Sequence, residues 1–509
     1  MDVWRTRATS PKRFVRNPEP LASFHTLKVL NASFLRAFHS EFFQKRCVTV
    51  TNVAIAARLN RMPVGRVHRQ VTAIIGISQF FDLFDIFLAG VLGTVLTKEF
   101  HIEGPTLSLL IGSAFLGMFL GAILLNGLAD KIGRRRAILF VLLIYSVFTF
   151  ISAFSTSVAF LIAARFLAGL GIGGLPPLAD TYLSEMIPAK SRGRMIAWAY
   201  TLGFCAMPVE GFLARWLVPT NVGMAGWRWL FVIGSLGAII VWLLQHHLPE
   251  SPRWLESVGR VDEARAIVED MEASVGSVGK SEEHASVSVE PRKVPLSTLF
   301  HAGFAKRTVM LWGFQILQTL GYYGFGTLAP IVLASKGITV TSSLTYVTLS
   351  FLGYPIGSLL SLPIIERVQR KWIIVGSALC MAVFGILFGM SRLPLWIIVF
   401  GFLYTLSSNI FSNAFHIFQA EIYPTAIRAT AAGSAYSLSR LMSGLMPFIL
   451  LPILKVHGAT AMFSVVACAM VLIMVDVGAL GPRTSGRALE EVNESLLADA
   501  SSTGPSSSG

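Results

Sequence analysis

Charge is scarce in this chain. Of 509 residues only 14% are Asp, Glu, Lys or Arg, whereas 53% are hydrophobic and the mean hydropathy is +0.64. An average soluble domain carries about 25% charged residues, so a single water-soluble core is excluded and a multi-span membrane protein is expected. Acidic residues are scarcer still, 28 against 42 Lys and Arg, for a net charge of +14. That excess does not read as a nucleic-acid surface. The basic residues gather in alternate short loops: Lys131, Arg134, Arg135 and Arg136, then Lys190, Arg192 and Arg194, then Arg367, Arg370 and Lys371. Intervening loops such as "SAFSTS" carry few, the pattern that puts basic loops on the cytoplasmic side. Both termini and the long central loop are therefore expected in the cytoplasm of a plasma-membrane protein with no nucleic-acid partner.

Cysteines, secretory signals and nucleotide or metal motifs are equally sparse. Cys47, Cys205, Cys380 and Cys468 show no paired spacing, so neither disulfides nor zinc is expected, and the last three read as small buried hydrophobes. Residues 1–70 are basic and acid-poor, and lack the apolar core and cleavage site of a secretory signal. They read as a transit peptide or as an extension ahead of a start at Met62, and little function is expected there. The "GKS" at Gly279 is not a phosphate loop, because Ser274 stands where such a loop needs its first glycine. No nucleophile–base pair or metal cluster stands out, so the chain is expected to be no enzyme and to use no cofactor.

What the chain has is apolar length. Twelve spans are predicted at about 71–97, 106–128, 137–154, 158–184, 194–218, 228–247, 307–334, 342–364, 372–390, 394–423, 429–453 and 457–479. "GLGIGG" at 169–174 fits a dinucleotide fingerprint by letter, but it lies inside the fourth span with no strand before it. It is expected instead to let helices approach closely. The organisation is an extension (1–70), a six-helix half (71–247), a cytoplasmic loop (248–306), a second six-helix half (307–479) and a tail (480–509). The central loop contains "ASVGSVGKSEEHASVSVE", whose Ser-rich composition predicts mobility.

The two halves repeat. "ADKIGRRR" resembles "IERVQRKW", and "EMIPAKSR" resembles "EIYPTAIR"; from Asp130 to Glu366 and from Glu185 to Glu421 the separation is the same 236 residues. Two features at one period imply duplicated halves around a central pathway. At this point the chain resembles the major facilitator superfamily, through "NGLADKIGRRR" and the weaker "PIIERVQRK", over residues 71–490. The resemblance implies an all-α membrane protein of twelve transmembrane helices in two six-helix halves. It also implies a cytoplasmic gate built from Gly127, Asp130, Gly133, Arg134, Arg135, Glu185 and Arg192, repeated as Glu366, Arg370, Glu421 and Arg428. Gly127 is expected to permit close helix contact, and the second copy departs from the pattern with Pro363 and Gln369.

"PESPRWLESVGRVDEA" and "EIYPTAIRATAAG" are similar to sugar-porter and organic-ion branches alike. "FFDLFDIFLAG" is similar to the D-x-x-D of aromatic-acid:proton symporters, with Leu83 where those have glycine. "GYYGFGTLAPIVLASKG" looks closer to organic-acid carriers than to the paired glutamines of sugar porters, of which Gln315 and Gln318 remain.

Ionisable residues inside spans mark ion or substrate pathways. At 1.5 Å per residue, Asp85 and Arg165 lie about 20 Å above the cytoplasmic edge and Asp82 and Arg440 about 16 Å. Asp82 and Asp85, three apart, share a helix face. Glu210 is placed in the same layer. A carboxylate that loses its arginine partner to an anionic substrate binds a proton more readily, which couples the two. Asp85 is expected to carry the proton and Arg165 to be its switchable partner, with Asp82 and Glu210 in the coupling group. Arg165, Gln315, Gln318, Tyr322, Tyr323, His416 and Arg440 are the expected substrate contacts. Asp180 and His416, repeat mates lying lower, read equally well as loop caps. The expected protein is a monomeric proton symporter for a small organic, possibly aromatic, carboxylate, embedded in the lipid bilayer; the alternatives are a sugar or polyol symporter, an efflux carrier, or a non-transporting nutrient sensor.

Overall fold

The computed structural model describes residues 55–244, 247–275, 299–300, 302–423 and 425–482. Cys47, most of the N-terminal extension, the Ser-rich part of the central loop, the tail beyond 482 and the side chains of Glu366 and Arg428 lie outside the described residues. The first helix, α1, covers residues 55–61. It is followed by α2 (Arg66–Val91), α3 (Gly93–Glu99), α4 (Gly104–Leu124), α5 (Asn126–Ile132), α6 (Arg134–Ala153), α7 (Val158–Met186), α8 (Ala189–Phe204), α9 (Ala206–Leu217) and α10 (Gly226–Leu244). Two central-loop helices come next, α11 (Pro252–Ser257) and α12 (Val261–Val275). The rest are α13 (Ala302–Ser335), α14 (Val340–Phe351), α15 (Gly353–Arg367), α16 (Arg370–Met390), α17 (Pro394–Glu421) and α18 (Thr425–Leu480). A two-residue β-hairpin before α10 is the sheet content of the described residues.

Among the described residues, eleven stretches are long and apolar enough to cross a membrane. Twelve were expected, and the difference lies in α18, whose 56 residues continue past Gly458 at φ 81°, ψ 178°. That backbone conformation is open to glycine and breaks the helix there. Local signals set other ends: Ser157 accepts from the Phe160 N–H at the start of α7, and Ser251 caps α11 ahead of Pro252.

The glycine run does what its context predicts. Gly169 and Gly173 of α7 lie against the Ala114 and Met118 carbonyls of α4, and Gly117 and Gly121 of α4 lie against Phe166 and Leu170 of α7. No side chain fits between these backbones, so dispersion contacts replace the hydrophobic drive that lipid does not supply. Gly127, by contrast, has no atom within 4 Å of where a side chain would begin. The close contact expected there is absent because α5 borders the open end of the central cavity in this conformation.

Residues just ahead of Met62 take part in the packing: Ile55 and Leu59 are buried in the core with Met62, and Arg58 makes a two-bond ion pair with Glu272 of α12 at 3.0 and 2.7 Å. Asn60 accepts from the Ala189 N–H and from Arg253. The apolar spacing 55, 59, 62 is an amphipathic stripe too short to stand out by periodicity. Cys380 and Cys468 are exposed and Cys205 is half-buried, rather than all being buried. In a membrane protein the outer face of a span is apolar too, so a hydrophobic neighbourhood does not imply the interior.

Candidate functional site

Asp82 and Asp85 share α2 but end in different surroundings. Asp85 is fully buried and faces Arg165 of α7, whose Nη1 donates to both carboxylate oxygens at 2.8 and 2.9 Å. Arg165 Nη2 donates to the Asp85 main-chain oxygen at 2.8 Å, and Thr149 of α6 donates to Oδ1 at 2.8 Å. The ring of Phe231 lies 5.6 Å from the guanidinium carbon. Glu210 of α9, with 0% exposure, lies close enough to feel the charges of both, and neither of its oxygens has a hydrogen-bond partner. Asp85, Arg165 and Glu210 thus form one cluster, sealed from the cavity described next.

That cavity, of about 490 Å³, runs from Asp130 and Arg134 in the arginine-rich loop to Asp82, Tyr323 and Arg440 at mid-span. Arg440 of α18 lies between two aromatic faces, 4.8 Å from the Tyr323 ring centre and 4.4 Å from that of Tyr436. Its Nε and Nη1 have no hydrogen-bond partner, nor does Asp82 Oδ1. A guanidinium held by two π faces is fixed in place while its donors stay available. Gln318 donates to Gln315 at 3.0 Å and to Ser439 at 3.2 Å, and Gln315 donates to Gln419 at 3.1 Å. Lower down, Tyr200 donates to both oxygens of Asp180 at 3.0 and 3.1 Å and stacks on His416 with ring centres 6.1 Å apart. The repeat mates Asp180 and His416 therefore meet through Tyr200 inside the cavity.

Of the substrate contacts expected from sequence, Gln315, Gln318, Tyr322, Tyr323, His416 and Arg440 line this cavity and Arg165 does not. Tyr436, Gln79 and Gln419 line it and were missed. Tyr436 was legible as the residue one helical turn before Arg440.

The cavity is closed at the end opposite the loop. Gly90 of α2 packs on Thr327 of α13, Gly112 of α4 on Gly444 of α18, and Ser108 donates to the Pro447 carbonyl at 3.2 Å. Phe87 stacks on Tyr323, and Phe115 meets the same ring edge-on.

The loop end shows the repeat in three dimensions. Arg134 pairs with Glu185 at 3.1 Å and with Asp130 at 3.0 Å, and the repeat counterparts Arg370 and Glu421 pair at 3.0 Å. Arg192 instead donates to the Ile187 carbonyl at 3.4 Å. Glu250, which sequence reasoning overlooked within "PESPRW", accepts from the Arg134, Arg135 and Ser251 N–H groups at 2.9, 3.0 and 3.0 Å. It supplies the negative charge that the N-terminus of α6 lacks. Gly133, at φ 99°, has no room for a side chain beside that carboxylate. Trp254 donates to the Asp130 carbonyl at 3.0 Å and ties α11 to the same loop. A second hollow of about 550 Å³ lies between α6 and α12, away from the span charges, and its Arg260 and Glu263 pair with each other.

Burial also acts on the central-loop helices. It pushes the Glu256 carboxyl up to about 7, against the opposing pull of Arg253 and Arg265.

Residues 71–496 match the family described as sugar (and other) transporter. The chain is 34% identical over 460 residues to the putative metabolite transport protein YyaJ of Bacillus subtilis, covering 88% of this chain and 99% of that one. It is 29% identical to the niacin transporter NiaP of Acinetobacter baylyi, covering 86% and 99%. In three dimensions it resembles the xylose transporter XylE from E. coli in a partially occluded inward open conformation, with a TM-score of 0.68 at 20% identity, covering 82% and 99%.

Proposed function

We propose that this chain, which belongs to the sugar (and other) transporter family of the major facilitator superfamily, moves a small aromatic or other organic carboxylate together with protons by alternating access. The observation that carries the reading is Arg440: a cation inside a small-molecule-sized cavity, fixed between Tyr323 and Tyr436, with two donors lacking partners. Guanidinium geometry suits a carboxylate, and the flanking tyrosines suit an aromatic ring attached to it. Niacin is itself an aromatic carboxylate, so the name of that relative points the same way. Proton coupling is assigned to the buried carboxylates Asp82, Asp85 and Glu210 with Arg165, because ionisable groups in a membrane interior by default mark ion pathways.

The fold is read as twelve spans in two six-helix halves, α18 being counted as two at Gly458. The protein acts as a monomer in the plasma membrane with both termini in the cytoplasm, and the Arg134–Glu185 and Arg370–Glu421 pairs, with Asp130 and Glu250, belong to the cytoplasmic gate. A second reading, a sugar or polyol symporter, is favoured by the amide row Gln315, Gln318 and Gln419, whose groups suit hydroxyls.

Purified protein in liposomes separates the two. With a proton gradient imposed, uptake of nicotinate but not of xylose supports the carboxylate reading; the reverse supports the sugar reading. No flux of either, together with thermal stabilisation by one of them, contradicts transport.

A further inference from the structure

We infer that Glu210, rather than Asp85, is the seat of the transported proton. The inference rests on the proton-coupled reading above and narrows it to one side chain. Asp85 is the acid with the least to gain from a proton, since three side-chain hydrogen bonds, two of them from Arg165, already answer its charge. Glu210 is equally buried and has no donor on either oxygen. An ionised carboxylate without donors in an apolar interior is far costlier than the acid form. The charges acting on it are Asp85 from α2 and Arg165 from α7. Two carboxylates and one guanidinium make a neutral group only when one proton is added, and the hydrogen bonds reserve Arg165 for Asp85.

Position supplies the route. The residue after Glu210, Gly211, packs so closely on Thr348 of α14 that no side chain fits between them. This α9–α14 seam must part for the cavity to open on its other side, and parting it brings water to Glu210. A proton loads there in the opposite-facing state, and its release toward the cavity requires the Asp85–Arg165 pair, which seals Glu210 in the state described here, to part. One seat means one proton, so a singly charged carboxylate crosses without net charge.

Two measurements on the full-length protein test this. The first is infrared spectroscopy of purified carrier at neutral pH. A protonated-carboxyl band is expected that disappears in Glu210→Gln and persists in Asp85→Asn; a band that instead disappears in Asp85→Asn, or one unchanged in Glu210→Gln, overturns the inference. The second is nicotinate uptake into liposomes under an imposed proton gradient. Glu210→Gln, which mimics the neutral acid, is expected to lose accumulation at least tenfold while exchange of internal for external nicotinate continues and no longer varies with pH. A wild-type carrier that exchanges nicotinate but ignores the gradient overturns the proton-coupled reading and this inference with it. A gradient-driven wild type whose Glu210→Gln variant accumulates equally overturns the inference alone. Glu210→Asp, keeping an acid on a shorter arm, is expected to retain driven uptake with a displaced pH profile, and an undisplaced profile counts against the assignment.

Discussion

Asp82 and Asp85 stand one turn apart on the same helix, yet one faces a cavity and the other a sealed ion pair. Asp85 has its charge met by Arg165 and Thr149; Asp82 and Arg440 keep polar atoms without partners at the wall of a cavity. The contrast teaches what each cluster is fitted for. Groups with satisfied hydrogen bonds hold a structure, and groups with unmet ones are ready for something that arrives. By that test Arg440 is the group proposed to receive an anion, and within the sealed cluster Glu210 is the member left incomplete.

The largest expected effect comes from breaking the sealed side. Arg165→Ala leaves Asp85 and Glu210 buried beside each other without a cation, and a loss of about 3–5 kcal/mol is expected, read as a steep fall in melting temperature with loss of both uptake and exchange. Leu59→Ala, remote from both clusters, is the control for instability alone. It opens a void between α1 and the core and is expected to cost about 2–5 kcal/mol while the affinity of the protein that remains folded is unchanged.

On the open side, Arg440→Ala is expected to weaken carboxylate binding by about 1.5–3 kcal/mol, roughly ten- to a hundredfold, with a smaller change in melting than Arg165→Ala. Titration calorimetry with nicotinate checks it, and equal binding would remove Arg440 from the site. Asp82→Asn removes a negative charge from the same wall, so affinity for an anion is expected to rise a few fold, whereas Asp85→Asn is expected to give no such gain.

The smallest effect lies outside the membrane. Because burial raises the Glu256 carboxyl to about 7, its contribution to the packing of α11 is complete below its ordinary value near 4.5 and is lost as pH rises through 7. Hydrogen exchange in α11 and α12 is expected to quicken over that window in wild type and not in Glu256→Gln.

Much of this was legible in the sequence because it is one-dimensional physics. Apolar length marked the spans, the glycine run marked α7 for close helix contact, and the shared 236-residue offset made Arg370 and Glu421 counterparts of Arg134 and Glu185, which pair in both copies. The separation of Asp82 from Asp85 was not legible. Residues three apart differ by about 60° around a helix, and only the neighbouring helices decide which of them meets a cavity. Glu250 and Arg58 escaped notice because their partners lie 116 and 214 residues away. Arg165 was placed beside the acid it pairs with, but sequence position does not reveal whether water or substrate reaches a group.

The most direct test of the division between the two clusters is to locate a bound ligand. A crystal structure with a bromine-substituted benzoate, its bromine found by anomalous scattering, is expected to show the carboxylate on Arg440 between Tyr323 and Tyr436, with the Asp85–Arg165 pair intact. A carboxylate seated on Arg165, with Asp85 displaced, would contradict the account.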